Sequence, residues 1–357
     1  MIMRIIFLVD MDYFYVACEE IRRPEIRGKP AVVGSDPKGG KGRGVVMTCN
    51  YPARKFGLHS GMPISMAYRM KPDAIYLPVD FDYYDAVSKK VMDLARSFAD
   101  RFEQVSVDEA YLDVSKKVKD YEGALEYAKL IKDEVRERIG LPCSVGIGTS
   151  KLIAKMACEK AKPDGIKLVK EEESKGFIAP MKIGDLYGVG RKTREQLEHL
   201  GYKTVGDLAK ANPMDMMDRF GTYGVLLHKY ANGIDESDII ENYTVMSIGR
   251  ELTFDADTDR SEDAVAAIRK LSNEVIGEVN KAGMSFKTIT IKLRYSDFSE
   301  HLKSRSIKNS NNVNDIINVA TELYFRNFEK GRKLRKIGVR VSNLIKYRGQ
   351  KKIGEFS

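Results

Sequence analysis

Residues 105–114 carry the sequence feature that most restricts the fold, an alternation of apolar and polar residues whose phase shifts by one position at Asp108-Glu109. Adjacent side chains of a regular strand point to opposite faces of a sheet. A one-residue slip in this two-residue period requires a turn or a bulge. At such a break both carboxylates can point into one site. The chain is therefore expected to present Asp108 and Glu109 together at a strand end.

The remaining periodicity predicts an α+β chain of several domains. At 357 residues the chain is too long for one ordinary core. A buried strand over 4–9 ends at Asp10, and further strands, helices and two alternating C-terminal strands follow. The predicted strands are 4–9, 31–33, 45–47, 143–147, 287–295 and 334–342; the predicted helices are 83–99, 121–139, one starting at 151 with Ser150 as N-cap, and one capped at Ser261.

Charge is distributed unevenly along the chain. Residues 281–352 contain 18 Lys+Arg against 5 Asp+Glu, a surplus of 13, whereas the whole chain is only +9. A strongly basic C-terminal module beside a mildly acidic remainder is typical of a polyanion-binding face. A merely solvated surface is the alternative that charge alone leaves open.

The cysteines and the apolar runs bear on location. Four cysteines are scattered without a CxxC pair, which favours free thiols in a reducing compartment and argues against a zinc site; they are Cys18, Cys49, Cys143 and Cys158. No signal peptide or membrane-spanning run is evident. We expect an intracellular protein, cytoplasmic and associated with the nucleoid.

Three acids lie at predicted strand ends: Asp10, Asp108 and Glu109. Carboxylate oxygens suit Mg²⁺, and two such ions can assist an in-line phosphoryl transfer. Each acid by itself is a weak indication, since an acid after a strand is more often a turn or helix cap. Asp12 and Asp113 are interpreted as structural.

Four ordered motifs resemble those of Y-family DNA polymerases, in the branch with bacterial polymerase IV, polymerase kappa and the archaeal lesion-bypass enzymes. They are Asp10-Met11-Asp12-Tyr13-Phe14-Tyr15, Asn50-Tyr51-Pro52-Ala53-Arg54-Lys55-Phe56-Gly57, Ser106-Val107-Asp108-Glu109-Ala110-Tyr111-Leu112-Asp113 and Ala161-Lys162-Pro163-Asp164-Gly165-Ile166. The resemblance covers nearly the whole chain. It implies a template-directed polymerase of low fidelity that bypasses lesions.

The resemblance also implies a right-hand architecture. The expected domains are a palm (1–12 and 81–168), small fingers (13–80), a helical thumb with a helix-hairpin-helix (169–236), a linker (237–246), a little finger (247–345) and a tail (346–357).

By the same resemblance, Asp10, Asp108 and Glu109 bind two Mg²⁺ ions, or Mn²⁺, with the Met11 carbonyl as a further ligand. Tyr15 matches the steric gate that rejects ribonucleotides. The expected nucleotide contacts are Phe14, Tyr15, Thr48, Tyr51, Arg54 and Lys162. Met11 and Pro52 replace residues common in relatives, and Pro52 puts the detail of the fingers in doubt.

The resemblance and the basic patches together predict contacts with primer-template DNA and a clamp. The glycine hairpin near Gly188 and Gly190 suits backbone contact with a phosphate. The expected DNA contacts are Gly188, Gly190, Lys192, Lys292, Arg294, Arg335, Lys336 and Arg340. Gln350, Ile353 and Phe356 resemble a sliding-clamp-binding peptide, without its usual second aromatic residue. We expect a monomer that uses deoxynucleoside triphosphates and has no membrane partner.

Two other interpretations remain open at this point. A palm-fold cyclase or terminal transferase could share the acids without copying a template. A DNA- and clamp-binding scaffold without catalysis would not need the three acids.

Overall fold

The computed structural model describes residues 3–346 and has the predicted mixed α+β character. The chain divides into two compact units, Met1–Asn242 and Tyr243–Ser357. This division falls inside the predicted linker 237–246. Within residues 3–346, no helix combines the length and apolar character needed to cross a membrane.

The strands, numbered in chain order, are β1 (Ile6–Met11), β2 (Ala31–Gly34), β3 (Val46–Cys49), β4 (Ile75–Leu77), β5 (Arg101–Gln104), β6 (Glu109–Asp113), β7 (Cys143–Gly148), β8 (Ile166–Leu168), β9 (Ser247–Thr258), β10 (Met284–Tyr295), β11 (Glu300–Ser310), β12 (Leu334–Ser342) and β13 (Ile345–Lys346). They form sheets of order β5-β6-β1-β7-β8, β3-β2-β4 and β11-β10-β12-β9, with β13 beside β10.

The α-helices are α1 (Phe14–Arg22), α2 (Tyr51–Arg54), α3 (Ile64–Met70), α4 (Phe81–Ser97), α5 (Tyr121–Arg138), α6 (Lys151–Ala161), α7 (Ser174–Ile178), α8 (Arg191–His199), α9 (Val205–Ala209), α10 (Pro213–Phe220), α11 (Thr222–Ala231), α12 (Ser261–Lys281) and α13 (Val313–Asn327).

Strand β1 is the centre of the first unit and is buried on both faces. Phe7 and Val9 belong to the core cluster that includes residues of α4 and α5. Ile6 and Leu8 face the other way, toward Ala154 of α6. Burial on both faces explains why this strand reads as a continuous apolar run rather than an alternation.

Residues 235–241, here called the strap, lie against the same sheet. Ile239 is buried with Ile6 and Leu8. The Ile240 amide donates to Glu103 Oε2 at 2.8 Å, and Lys151 Nζ donates to both Glu103 oxygens at 2.7 Å. The first half of the predicted linker is therefore packed against the first unit.

In the second unit, α12 and α13 cover one face of the four-stranded sheet. Ile289, Ile291 and Leu293 of β10 point into this core, as do Ile337 and Val339 of β12. The alternation predicted for residues 287–295 and 334–342 is therefore confirmed.

The structure confirms one of the two predicted helix N-caps and the predicted free state of the cysteines. Ser150 caps α6, its side chain accepting from the Ile153 amide at 3.3 Å. Ser261 is instead the first residue of α12; Arg260 is the N-cap and makes no side-chain cap bond, so that prediction is wrong by one residue. All four cysteines are buried free thiols.

Candidate active site

The strand pairing places the three predicted acids together at one end of the central strands of the five-stranded sheet. Asp10, on β1, lies opposite Glu109 of β6. The Met11 amide donates to the Asp108 carbonyl at 2.9 Å, which fixes the end of the hairpin beside β1. The Val105 amide donates to the Glu109 carbonyl at 2.9 Å and closes the turn at which the alternation slips. The predicted break is thus a hairpin.

The acids at this end of the sheet are largely shielded from solvent. Asp10 is 6% exposed, and burial raises its pKa to about 7 even though Lys162 and Lys155 oppose the rise. Burial also raises the pKa of Asp108, with Glu109 adding to the rise, while the Ser106 hydroxyl at 2.5 Å opposes it. Buried carboxylates that raise one another's pKa require nearby positive charge in order to ionise.

Two lysines supply that charge in this structure. Lys162 Nζ lies 2.8 Å from Asp10 Oδ2 and 3.0 Å from Glu159. Lys155 Nζ donates to Glu109 and lies 3.8 Å from Asp10 Oδ2. Burial would lower the pKa of both lysines, but the facing carboxylates outweigh it and raise it.

Lys155 and Glu159 are site residues that the sequence reasoning missed. Lys151, Lys155 and Glu159 recur every four residues along α6, whose intervening positions, including Ile153, Ala154 and Ala157, are buried. A charged stripe on an otherwise buried helix was the signal that could have found them.

The oxygen donors of this site decide whether it suits a metal ion. Among residues 3–346, no group of three or more His, Cys, Asp or Glu side chains is arranged to hold a metal ion. Ammonium groups occupy oxygens of Asp10 and Glu109 instead. The chemistry still fits, because clustered carboxylate oxygens are ligands for hard divalent cations, and such a cation would supply the positive charge that the lysines supply here.

Asp12, interpreted as structural, connects three parts of the site. Its side chain is 1% exposed and accepts from the Tyr51 hydroxyl at 3.1 Å, the Asp164 amide at 2.8 Å and the Ser144 hydroxyl at 2.9 Å. It thereby joins α2 to the loop that follows Lys162.

The predicted gate residue, Tyr15, is half-buried on α1. Its ring packs against Tyr84 at 4.9 Å and Phe14 at 5.5 Å between centroids. Burial raises the pKa of Tyr15, and the negative charge of Asp108 adds to the rise. Phe14 is 2% exposed, which leaves its backbone rather than its ring for any contact with a ligand.

The other predicted nucleotide contacts lie on β3 and α2. Thr48 is buried on β3. Arg54 lies over the Tyr51 ring, 4.9 Å from its centroid, and its Nε donates to the Cys49 carbonyl at 3.2 Å. Asn50 caps α2 by accepting from the Ala53 amide at 3.1 Å.

The predicted glycine hairpin precedes α8. Gly188 has φ +92°, a conformation that favours glycine. Gly190 is the N-cap of α8, and Lys192 is exposed in its first turn.

The predicted basic contacts of the second unit lie on β10 and β12. Lys292, Arg294, Lys336 and Arg340 point away from the helices, opposite the buried alternation of the same strands. The pairing shifts register around Arg335, which lies over the Phe298 ring at 4.7 Å. The predicted clamp-binding residues Gln350, Ile353 and Phe356 lie outside the described residues.

Comparison with known families gives three matches along the chain. Residues 9–159 match the impB/mucB/samB family, and residues 245–354 match the C-terminal domain of that family. Residues 184–235 match the thumb domain of DNA polymerase iota.

Full-length relatives and solved structures agree with these matches. The chain is 42% identical over 341 residues to DNA polymerase IV 2 of Methanosarcina mazei, covering 96% of this chain and 92% of that protein. It is equally identical to DNA polymerase IV of Methanoculleus marisnigri, covering 94% of that protein. A Y-family polymerase chimera, Dbh-Dpo4(243-245)-Dbh, superposes with a TM-score of 0.87 at 32% identity, covering 96% and 99% of the two chains.

These matches span the chain in order, and the structural neighbours have the palm, fingers, thumb and little-finger architecture that the motifs imply. The chain belongs to the Y family of DNA polymerases, and it is a template-directed DNA polymerase that bypasses lesions.

Proposed function

We propose that Asp10, Asp108 and Glu109, with the Met11 carbonyl, hold two divalent ions, Mg²⁺ by preference and Mn²⁺ as an alternative. The position of Asp10 opposite Glu109, beside the hairpin that carries Asp108, carries this proposal. Bound there, the ions would polarise phosphate oxygens and favour ionisation of a primer 3′-hydroxyl. The protein's part is to hold three carboxylates close together with limited access to water, so that bound cations relieve their repulsion.

Lys162 and Arg54 are proposed to bind the triphosphate, with Thr48, Tyr51 and the Phe14 backbone. Lys162 binds Asp10 in this structure, and its flexible side chain would turn to a phosphate when a triphosphate is bound. Arg54 offers a planar fork of donors, steadied by the Tyr51 ring.

Tyr15 is proposed as the gate that selects deoxyribonucleotides. Its ring is held between Phe14 and Tyr84, so it cannot swing aside easily when a ribose 2′-hydroxyl approaches. A ring fixed in this way would exclude the larger sugar by contact.

DNA is proposed to bind at the thumb hairpin and at the little finger. Gly188 and Gly190 would offer backbone amides, and Lys192 its charge, to a phosphate. The basic strand faces of the second unit would grip the backbone without reading sequence; these residues are Lys292, Arg294, Arg335, Lys336 and Arg340. The solved structures similar to this chain include an insertion ternary complex of Dbh DNA polymerase, at 32% identity, which supports binding of substrates by this chain in general.

The domain limits proposed are 1–12 and 81–168 for the palm, 13–80 for the fingers, 169–236 for the thumb and 247–345 for the little finger. We further propose low copying fidelity, a monomeric enzyme, and clamp binding through Gln350, Ile353 and Phe356.

Primer extension tests the site. Asp108→Ala should bind primer-template normally but synthesise no DNA, because the carboxylate is lost without removing a core side chain. Asp113→Asn is the control, since Asp113 lies at the far end of β6 and its side chain bonds only to Ser115 among the described residues. Normal synthesis by Asp108→Ala would refute the assignment. Product made without a template would favour an untemplated transferase.

A further inference from the structure

The exposed face of the four-stranded sheet is arranged in rows by its strand register. Directly paired residues of antiparallel strands point to the same face. One row contains Leu302, Lys292, Gly338 and Glu251; the next contains Glu300, Arg294, Lys336 and Thr253. Basic and acidic side chains therefore share the same open surface.

Two glutamates pair with three of the basic side chains. Glu251 lies 3.1 Å from Lys292 Nζ and 2.8 Å from Lys336 Nζ. Glu300 lies 3.2 Å from Lys292 Nζ and also contacts Arg294. The five residues carry a net charge of +1, where the basic residues alone would carry +3.

A glycine makes possible the one of these pairs whose side chains must cross a strand. Glu251 on β9 and Lys292 on β10 are separated by strand β12, so their side chains must cross it. They cross at Gly338, where an added Cβ would lie 3.0 Å from Glu251 Cγ and 3.3 Å from Lys292 Cβ. Gly249 and Gly338 leave a depression of about 370 Å³ at this point. The lysine therefore lies along the sheet rather than pointing out from it.

Both glutamates remain available as anions. Burial would raise the pKa of Glu251, but Lys336 and Lys292 outweigh it and lower the pKa. The pKa of Glu300 is lowered in the same way by Lys292 and Arg294, against the effect of burial. A DNA phosphate approaching this face must compete with these carboxylates for the same donors and is repelled by them.

We propose that Glu251 and Glu300 are built-in counter-charges that compete with the DNA backbone for Lys292, Arg294 and Lys336 and so weaken the hold of this sheet on DNA. The inference rests on the proposed DNA contact of the sheet. Its consequence is that the enzyme releases primer-template more readily than its basic residues alone would allow.

Affinity measurements with the neutral, equal-sized variants Glu251→Gln and Glu300→Gln test the inference. The full chain is titrated into a fluorescent primer-template duplex and followed by anisotropy. Each variant should bind roughly 3–10-fold more tightly at low salt, and the gain should shrink as salt screens the charges. The dependence of log K on log salt should steepen, because more phosphates are neutralised by free cations.

Glu322→Gln is the matched control. This variant removes the same charge and releases Arg305 and Arg326, with which Glu322 pairs at 2.5 and 2.6 Å. Glu322, however, lies on α13, which packs against the covered face of the sheet and not the exposed one. The affinity of Glu322→Gln for DNA should change less than about 2-fold, because a distant charge acts only through the screened field.

Lys292→Ala separates the inference from the contact on which it rests. If Lys292→Ala binds DNA more weakly but neither glutamine variant binds it more tightly, the counter-charge proposal is wrong. The proposed DNA contact of the sheet is then still supported. Unchanged binding by Lys292→Ala overturns both. Thermal unfolding of every variant checks the fold, and Glu251→Ala replaces Glu251→Gln if that variant does not fold.

Discussion

The ion pair between Glu103 and Lys151 is expected to dominate the docking of the strap. The Glu103 side chain is 3% exposed and that of Lys151 is 14% exposed. Glu103 also accepts from the Ile240 amide at 2.8 Å. Glu103→Ala would leave a lysine and a backbone amide without their buried acceptor.

The cost follows from that burial. Removing one partner of a buried ion pair costs about 3–5 kcal/mol. The partial exposure of Lys151 lets its ammonium reach water, which places the cost near the lower end, about 3 kcal/mol. In a unit the size of Met1–Asn242, each kcal/mol lowers the Tm by about 2–4 °C, so the first unit should lose about 6–12 °C.

Thermal unfolding followed by circular dichroism measures the loss, and hydrogen exchange at the Ile240 amide reports release of the strap. Glu103→Gln keeps an acceptor and should lie between the wild type and Glu103→Ala. Arg101→Ala is the control: Arg101 also binds the strap, at Asp238 Oδ1 (2.6 Å) and at the Ile239 carbonyl (2.7 Å), but its side chain is 39% exposed, so its loss should lower the Tm much less than Glu103→Ala. An equal loss of Tm for Arg101→Ala and Glu103→Ala would refute the reasoning from burial.

Further predictions concern the gate and the stability of the fold. Tyr15→Ala should incorporate ribonucleotides in primer extension and Tyr15→Phe should not; unchanged sugar selection in Tyr15→Ala would remove the gate. Asn50→Ala should lower the free energy of unfolding by about 2–4 kcal/mol in urea, because a buried amide with four hydrogen bonds is lost; a change below about 1 kcal/mol would contradict this. Hydrogen bonds at a helix start lower the pKa of Asp207 below its ordinary 3.8, so it stabilises the fold above that value and the advantage is lost as pH falls through the folded pKa. The urea midpoints of wild type and Asp207→Asn should therefore differ at pH 7 and converge at low pH, and a constant gap would refute this. Gly146→Ala places a Cβ 2.0 Å from a backbone oxygen of α6 and should cost about 3 kcal/mol or more in urea, whereas Gly277→Ala, with open space, should not; equal effects would refute the packing argument.

The fold could be predicted where one face of a strand or helix is buried and the other is exposed to solvent. Strands β10 and β12 show clean alternation and were placed within three residues at each end. Strands β9 and β11 were missed, because both are exposed along most of their length and Leu302 points outward. Their pairing is decided by neighbours far along the chain, which a local pattern does not contain.

The site could be predicted where a local signal existed. The phase slip at Asp108-Glu109 indicated a hairpin, and the structure has one. The lysine that pairs with Glu109 comes from α6, 46 residues later, and only the fold brings the two together. Most of the strap was likewise predicted only as part of a linker, because no local pattern in the sequence indicates that Ile239 packs beside Ile6 and Leu8.

The four cysteines have a practical consequence. All are buried, and burial raises the pKa of Cys18 and Cys143 to about 12 and raises that of Cys49 and Cys158 as well. Thiolates are the reactive form of cysteine, so maleimide dyes should not label the four native cysteines. The chain also has no tryptophan. One added surface cysteine or tryptophan would thus give a single optical reporter on an otherwise unaltered polymerase.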